Sequence, residues 1–465
     1  MKFFFPLIFC CIVSVNVFAQ NEQRILTATP NGHYLQYEDG GPFFWLGDTG
    51  WELFHRLTIG EITKYLDNRK QKGFNVIQAV IIAELDGVHS ANKYGDLPLL
   101  NNDPDRPNEK YFKLVDSVVA LAAKRGMVMA LLPAWGDKVT LKYGGKGPVI
   151  FDSLSAYNYG KFLGRRYKHS NNIVWVLGGD RPPQDDKDDW KPVYGALAKG
   201  IDDGAGKHFL KTFHPGGYVW ESSVYLHNQP WMDFNMIQSG HAELDQPVWK
   251  NVLRDWNLQP TKPVLDAEPN YEDHPINPWN NWTPKRGYFT AYDVRKQIYR
   301  SVFSGACGVT YGHHSIWQFY GPGTEKLNYP FGYWYDVLDR PGAFQAGYLK
   351  KLIESRPYLQ RVPDTSIIIK GQGTKADYIT AFRDGTGRYM MIYIPVGKEI
   401  VLNIRFIASK KIITWWFNPK TGRAQSAGTF TNKKAIKFKT PTLGKGNDWV
   451  LVIDNAQMKY SKPGN

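Results

Sequence analysis

From Phe43 onward, short apolar runs of strand character alternate eight times with stretches of helical periodicity. No other feature of the chain restricts its fold as much. A helix between two strands returns the chain to the same end of a sheet, so successive strands pair in parallel. The expected strands are Phe43 to Asp48, Val76 to Ile82, Val128 to Trp135, Ile173 to Asp180, Phe209 to His214, Phe234 to His241, Val264 to Glu268 and Gly308 to His314. Helical patterns fall near Thr58 to Lys72, Asn108 to Arg125, Asp152 to Tyr167, Asp189 to Asp203, Gln246 to Trp256, Tyr292 to Ser304 and Gly342 to Ser355. No clear helix separates Phe209 from Phe234. There is no Gly-rich dinucleotide fingerprint and no phosphate loop. These repeats therefore point to a closed (β/α)8 TIM-like barrel more than to an open doubly wound sheet.

At Arg356-Pro357 the pattern changes to short strands separated by turns, with Asp384-Gly385-Thr386-Gly387 as a hairpin connection. This predicts a small C-terminal antiparallel β-sandwich. Trp415 and Trp416 are adjacent, so alternation sends at least one inward, and both are expected in core packing rather than on a sugar platform. At the other end, Met1 to Ala19 carries one Lys, an apolar run and Val17-Phe18-Ala19, which fits a cleavable secretory signal. The expected division is 1–19 signal, 20–356 barrel and 357–465 sandwich, in an exported protein with no stable membrane insertion. Cys10 and Cys11 fall in the signal, which leaves Cys307 as a small buried thiol with no disulfide partner.

Net charge is +14, from 57 Lys and Arg against 43 Asp and Glu. The excess reads as spread out, with some concentration at Lys433, Lys434, Lys437 and Lys439. It forms no nucleic-acid motif, so no nucleic-acid partner is expected. A solvated basic surface is the default, and attraction to a polyanion such as a pectin is the sharper alternative.

Two of the strands end on acids. In Pro263 to Tyr271, PVLDAEPNY, Pro269 has no N–H to extend the ladder and biases Glu268 away from helix, so Glu268 closes the seventh strand. In Ile173 to Asp180, IVWVLGGD, two glycines and Asp180 close the fourth. Barrel chemistry sits at these carboxyl ends. Glycoside hydrolysis needs one carboxylic acid to protonate the leaving oxygen and a second carboxylate as nucleophile or base. Asp180 and Glu268 are therefore the catalytic candidates, and an oligosaccharide or pectic polysaccharide is the expected partner.

Asp266 is expected on the same inward face, two residues deeper, as a hydrogen-bonded support. Asp48 ends the first strand, where it is expected either to bind a sugar hydroxyl or to cap the following turn. Trp51, Trp135 and Trp317 fall just past strand ends, as do His55, His214, His241, His313 and His314. Sugars are held by aromatic faces and a few polar groups, so Trp51, Trp135, Trp317, His214 and His314 are candidate binding residues. Gln78 and Gln238 could meet ligand hydroxyls or serve barrel-core hydrogen bonding. Glu84, Asp137, Glu221 and Asp233 read as solvated or structural, and Glu52 as a partner of Arg56. No HxH or HExxH spacing occurs, and neither a metal nor a cofactor is expected.

Three segments, Trp45 to Leu57 (WLGDTGWELFHRL), Gly178 to Pro182 (GGDRP) and Tyr311 to Gln318 (YGHHSIWQ), together resemble glycoside hydrolase family 140. Its members are bacterial apiosidases acting on the pectin rhamnogalacturonan II, with a C-terminal sandwich sometimes labelled a collagen-binding domain. The resemblance spans nearly the whole chain and implies Asp180 as acid/base and Glu268 as nucleophile. Where the wider barrel clan has Asn-Glu at the end of strand four, this chain has Gly179-Asp180, a shorter acid. A glycosidase of another specificity, such as a glucanase or furanosidase, and a non-catalytic carbohydrate- or collagen-binding barrel are the competing readings.

Overall fold

The structure is a computed structural model and describes residues 24–216, 219–276 and 283–465. The expected signal segment lies outside these residues. Eight parallel strands form the barrel: β1 (Trp45–Thr49), β2 (Val76–Val80), β3 (Val128–Leu132), β4 (Ile173–Gly178), β5 (Lys211–His214), β6 (Asn235–Ile237), β7 (Val264–Asp266) and β8 (Gly308–Tyr311). Each is followed by a helix: α1 (Ile59–Gln71), α2 (Glu109–Lys124), α3 (Ser153–Tyr167), α4 (Lys191–Ala205), α5 (Ser223–Leu226), α6 (Val248–Trp256), α7 (Ala291–Phe303) and α8 (Pro341–Glu354). The sheet order is β5-β4-β3-β2-β1-β8-β7-β6, with every ladder parallel.

Local signals set the helix starts. Thr58 and Glu61 form a capping box on α1, and Thr290 and Asp293 form another on α7. The connection that lacked a helical pattern holds only the four-residue α5. That is also where the barrel seam lies, because no regular ladder joins β5 to β6. The seam is bridged instead by Asp233, whose N–H donates to the Lys211 carbonyl at 3.0 Å and whose Oδ2 accepts the Lys211 N–H at 2.7 Å.

Alternation along the strands sorts side chains into two layers. Trp45, Val76, Val80, Ala130, Val174 and Val176 point into the barrel, while Leu46, Ile77, Met129, Trp175 and Phe213 face the helices. By the same count Asp48 faces outward. It is fully buried against α1, where its Oδ2 accepts from Tyr65 Oη at 2.5 Å and Arg69 Nε at 2.6 Å. The expectation that Asp48 binds sugar or caps a turn is therefore corrected: it is half of a buried ion pair in the wall. Cys307 is a buried free thiol, as expected. Among the described residues no helix is long and apolar enough to cross a membrane.

The C-terminal region is two antiparallel sheets. One has six strands in the order β9 (Arg361–Pro363), β11 (Thr380–Asp384), β12 (Tyr389–Ile394), β17 (Trp449–Asn455), β14 (Lys411–Asn418), β15 (Arg423–Thr431). The other has three, β10 (Ile368–Lys370), β13 (Gly397–Leu402) and β16 (Ile436–Gly444). Trp416 lies in the core between the sheets, whereas Trp415 packs on the side shared with the barrel. The six-stranded sheet lies against α7, which is buried from Asp293 to Phe303. Phe303 meets Phe382 at 4.8 Å and Tyr299 meets Tyr393 at 4.9 Å. Arg295 grips Asp448 through two hydrogen bonds, of 2.8 and 2.6 Å.

Candidate active site

Strand β4 ends at Gly178, and the next residues leave sheet geometry with positive φ: Gly178 at 82°, Gly179 at 122° and Asp180 at 51°. Glycine is required at 179 for space as well, since a Cβ there would lie 2.6 Å from the Trp135 ring. Asp180 adopts a left-handed conformation that costs energy for a residue with a Cβ, and this turns its carboxyl into the mouth.

Strand β7 ends at Asp266, two residues earlier than expected. Its alternation points Leu265 and Ala267 into the barrel, and Val264 toward the helices. Asp266 points the same way as Val264, where it accepts hydrogen bonds from Ser239 Oγ and from Ser301 Oγ on α7. It is the buried, hydrogen-bonded support that the sequence suggests, but on the helix side. Strict alternation would turn Glu268 outward too. Instead the N–H groups of Ala267 and Glu268 both reach the Ile237 carbonyl, at 2.9 and 3.4 Å. Two residues then oppose one, as in a bulge, and Glu268 is re-aimed into the mouth.

Asp180, Glu268 and His214 each place one polar atom within 4.8 Å of the other two. His214 is fully buried between the acids, with Nε2 at 2.9 Å from Glu268 Oε2 and Nδ1 at 3.9 Å from Asp180 Oδ1. The first contact is an ion-pair distance that lies off the line of a good hydrogen bond. On the other side, His241 Nε2 donates to Glu268 Oε1 at 3.1 Å, while its Nδ1 accepts the Tyr271 N–H at 3.3 Å. With Nδ1 accepting, Nε2 is the nitrogen that donates to Glu268. Gln238 Nε2 donates to Asp180 Oδ1 at 2.9 Å, which leaves Oδ2 as the oxygen able to carry a proton.

These surroundings separate the two acids. Burial, reinforced by the neighbouring Glu268 charge, pushes the Asp180 carboxyl up to about 6. Burial would raise Glu268 as well, but contacts with His214 and His241 hold it well below the usual carboxylate range. Burial lowers the His214 imidazole, and the two acids outweigh that, so its net shift is upward. The cluster of two carboxylates and an imidazole has donor atoms that could also hold a divalent cation. His214 and Glu268 already turn those atoms toward each other.

The cleft above the acids encloses about 280 Å³, at the small end for ligand sites. Of the predicted residues, Trp51, Trp135, Asp180, Glu268 and Trp317 line it. The Trp51 and Trp135 rings lie 5.3 Å apart, with His214 boxed by both. His214 and Gln238 stand directly behind the acids. His314 is a correction: it is fully buried behind Trp317, its Nδ1 accepting the Trp317 indole N–H at 3.3 Å and its Nε2 donating to the Asn328 carbonyl at 2.6 Å. Gln78 is also removed from ligand binding. It is fully buried in the barrel, accepting from Thr310 Oγ1 at 2.9 Å and donating to the Ala267 carbonyl at 3.1 Å, one residue before Glu268. His55 bonds to Tyr111 and the Ser90 carbonyl, and His313 to Asp273.

Several cleft residues escaped the sequence reading. Glu84 reads there as solvated or structural, yet it lines the cleft beside Arg181, whose Nη2 lies 3.3 Å from Glu84 Oε1. Burial, and then the Asp180 charge, raises Glu84 to about 7. Tyr271 and His274 complete the wall, with His274 stacked on His241 at 4.2 Å. Tyr271 lies three residues after Glu268, and that proximity is the one sequence signal that could have found it. Asp137 pairs with Lys138, Glu221 with Arg254, and Glu52 approaches Arg56 at 3.9 Å.

The family model described as the apiosidase-like catalytic domain matches residues 29–360. A second, described as "Putative collagen-binding domain of a collagenase", matches residues 362–454. A solved glycoside hydrolase is 34% identical over 94% of this chain and 98% of its own, with a TM-score of 0.85. A family 5 glycoside hydrolase from Bacteroides vulgatus is 32% identical over 94% of this chain and 95% of its own, also with a TM-score of 0.85. No curated protein gives a significant match. Both the match across the barrel and the two related structures carry the same conclusion: this chain belongs to the apiosidase-like family of glycoside hydrolases.

Proposed function

We propose that this protein is an exported, retaining glycosidase that hydrolyses an apiosyl linkage in pectin, on side chains of rhamnogalacturonan II. The observation that carries the mechanism is the pairing of Asp180 and Glu268, with oxygens within 4.8 Å and acidities driven apart. Retaining enzymes hold their carboxyl groups about 5 to 5.5 Å apart and inverting ones about 6.5 to 9.5 Å apart, so the close approach supports retention.

In this reading Asp180 Oδ2 protonates the leaving oxygen. Glu268, kept ionised by two imidazoles, attacks the anomeric carbon. The leaving alcohol departs and a glycosyl–Glu268 ester remains. Asp180, now a carboxylate, takes a proton from water, which attacks the same carbon and releases the sugar with its original anomeric configuration. The chemistry calls for two carboxyl groups and water alone. The match to the apiosidase-like family model supports the apiose reading, and the apolar segment Met1 to Ala19 supports export.

The test is incubation with rhamnogalacturonan II and a panel of other plant polysaccharides, with released sugars identified and their initial anomer read by NMR. Release of apiose with retained configuration is expected, together with loss of turnover by several orders of magnitude in Glu268→Gln and Asp180→Asn. Release of a different sugar would overturn the specificity. Inversion, or near-normal activity in either variant, would overturn the mechanism.

A further inference from the structure

The basic excess is not spread over the molecule. Residues 361–465 carry 18 Lys and Arg against six Asp and Glu, so +12 of the net +14 belongs to the sandwich. All six acids are spent in ion pairs. Asp448 and Asp454 pair with Arg295 and Arg356 of the barrel region, and Asp364, Asp377, Asp384 and Glu399 with Arg383, Lys398, Arg388 and Lys437. Among the described residues the remaining exposed cations have no carboxylate partner.

Several of these cations gather on one face. In the three-stranded sheet, Ile400, Leu402 and Phe438 point into the core between the sheets. Alternation therefore turns Lys437 and Lys439 of β16 outward. The register runs Lys370 to Val401 to Lys437 across the strands, with Lys439 opposite Glu399. Lys433 and Lys434 lead directly into β16. Lys410 joins them at the same end, where the Asn432 N–H donates to its carbonyl at 2.9 Å. The six-stranded sheet takes up the contact with the barrel, so this lysine face looks outward into solvent.

We propose that the lysine face of the three-stranded sheet is a docking surface for a linear polysaccharide carrying carboxylates. The one acid on this face, Glu399, is paired with Lys437, and the lysines left over attract a polyanion. Lys370, Lys410, Lys433, Lys434 and Lys439 carry the face, and as point charges they attract carboxylate and phosphate alike, so the choice of partner rests on what else the sheet offers. Both tryptophans of β14 are turned inward, so they offer no stacking platform for nucleic-acid bases. A carbohydrate polymer also matches the glycoside hydrolase to which the sheet is attached. The sandwich would hold the enzyme on an acidic glycan matrix while the cleft acts elsewhere along it.

The test uses the full chain carrying Asp180→Asn and Glu268→Gln, so that cleavage plays no part and the outcome is independent of the proposed reaction. Mobility is followed in native gels containing polygalacturonate, its fully methyl-esterified form, double-stranded DNA or fibrillar collagen, and by flotation with phosphatidylserine vesicles. Retardation by polygalacturonate alone is expected, weakening about tenfold between roughly 50 and 200 mM salt. Adding Lys433→Glu, Lys434→Glu and Lys439→Glu should weaken binding by a further factor of about ten or more, with an unchanged melting curve showing that the fold is kept. Equal retardation by the esterified polymer, stronger binding to DNA, vesicles or collagen, or full binding by the charge-reversed variant would each overturn the proposal.

Discussion

Replacing Glu268 by Gln tests how the acidity of Asp180 is set. The substitution keeps the size of the side chain and removes one negative charge whose nearest oxygen lies within 4.8 Å of an Asp180 oxygen. At that distance and an effective dielectric constant of about 20, Coulomb's law gives about 3.5 kcal/mol, or about 2.5 pH units. The Asp180 side chain is 33% exposed, so solvent screens the interaction and about one pH unit is the realistic change. Burial is the larger cause of the raised value and survives the substitution. Asp180 should therefore fall from about 6 to about 5 without returning to an ordinary aspartate. A carbon-13 NMR titration of the labelled Asp180 carboxyl reads this directly. His214 supplies an internal control: it opposes the shift, with Nδ1 at 3.9 Å from Asp180, so His214→Asn should move the same signal upward. An Asp180 value unchanged or raised in Glu268→Gln would refute the account, because the two carboxylates would then not share a field.

Three further outcomes follow from named contacts. Asp180→Asn should cost about 10²- to 10⁴-fold in kcat/KM on a sugar-linked substrate, but far less in kcat/KM on an aryl glycoside whose phenolate leaves without protonation; equal losses of kcat/KM on both would remove Asp180 as the acid. Asp266 is fully buried and raised from 3.8 to about 7 by that burial, so the folded state keeps a proton that the unfolded chain releases. Stability should therefore fall as pH rises between about 4 and 7, by at most about 4 kcal/mol from this group, and Asp266→Asn should flatten that part of a melting-temperature profile relative to the parent. Asp448→Asn leaves the buried Arg295 guanidinium without its counter-charge, and should cost about 3 to 5 kcal/mol in denaturant unfolding; a loss below about 1 kcal/mol would show that the sandwich docks through its aromatic contacts alone.

Much of the architecture was legible from one dimension. The expected α1 from Thr58 to Lys72 forms over Ile59–Gln71, and that from Asn108 to Arg125 over Glu109–Lys124, because apolar periodicity and capping residues act within a few turns. Of the eight helices that follow the strands, the one left unassigned is the shortest, α5, at the seam where the barrel ladder is broken. The pair of acids was legible for the same local reason: Gly178-Gly179 and Pro269 cannot continue a strand and so mark the residues left at the rim, although the seventh strand itself ends earlier, at Asp266. His214, His241, Gln238, Trp51 and Trp135 were legible too, from their places on or just past strands, but the rest of the cleft wall was not. Tyr271, Arg181 and Glu84 come from the loops after β7, β4 and β2, and sequence alone gives no distance between loops.

What the chain determined by itself is its period: which residues form strands, which form helices, and which acids stand where a strand stops. Only the folded molecule decided direction. Asp48 and Asp266 look like Glu268 in one dimension, yet alternation buries the first two against helices, while two amides sharing the Ile237 carbonyl turn the third into the cleft. The physical reason is range. Backbone preference and hydrophobic period are properties of neighbours in sequence, whereas the environment of a carboxyl group is set by charges and imidazoles that only closure of the barrel brings within a few ångströms.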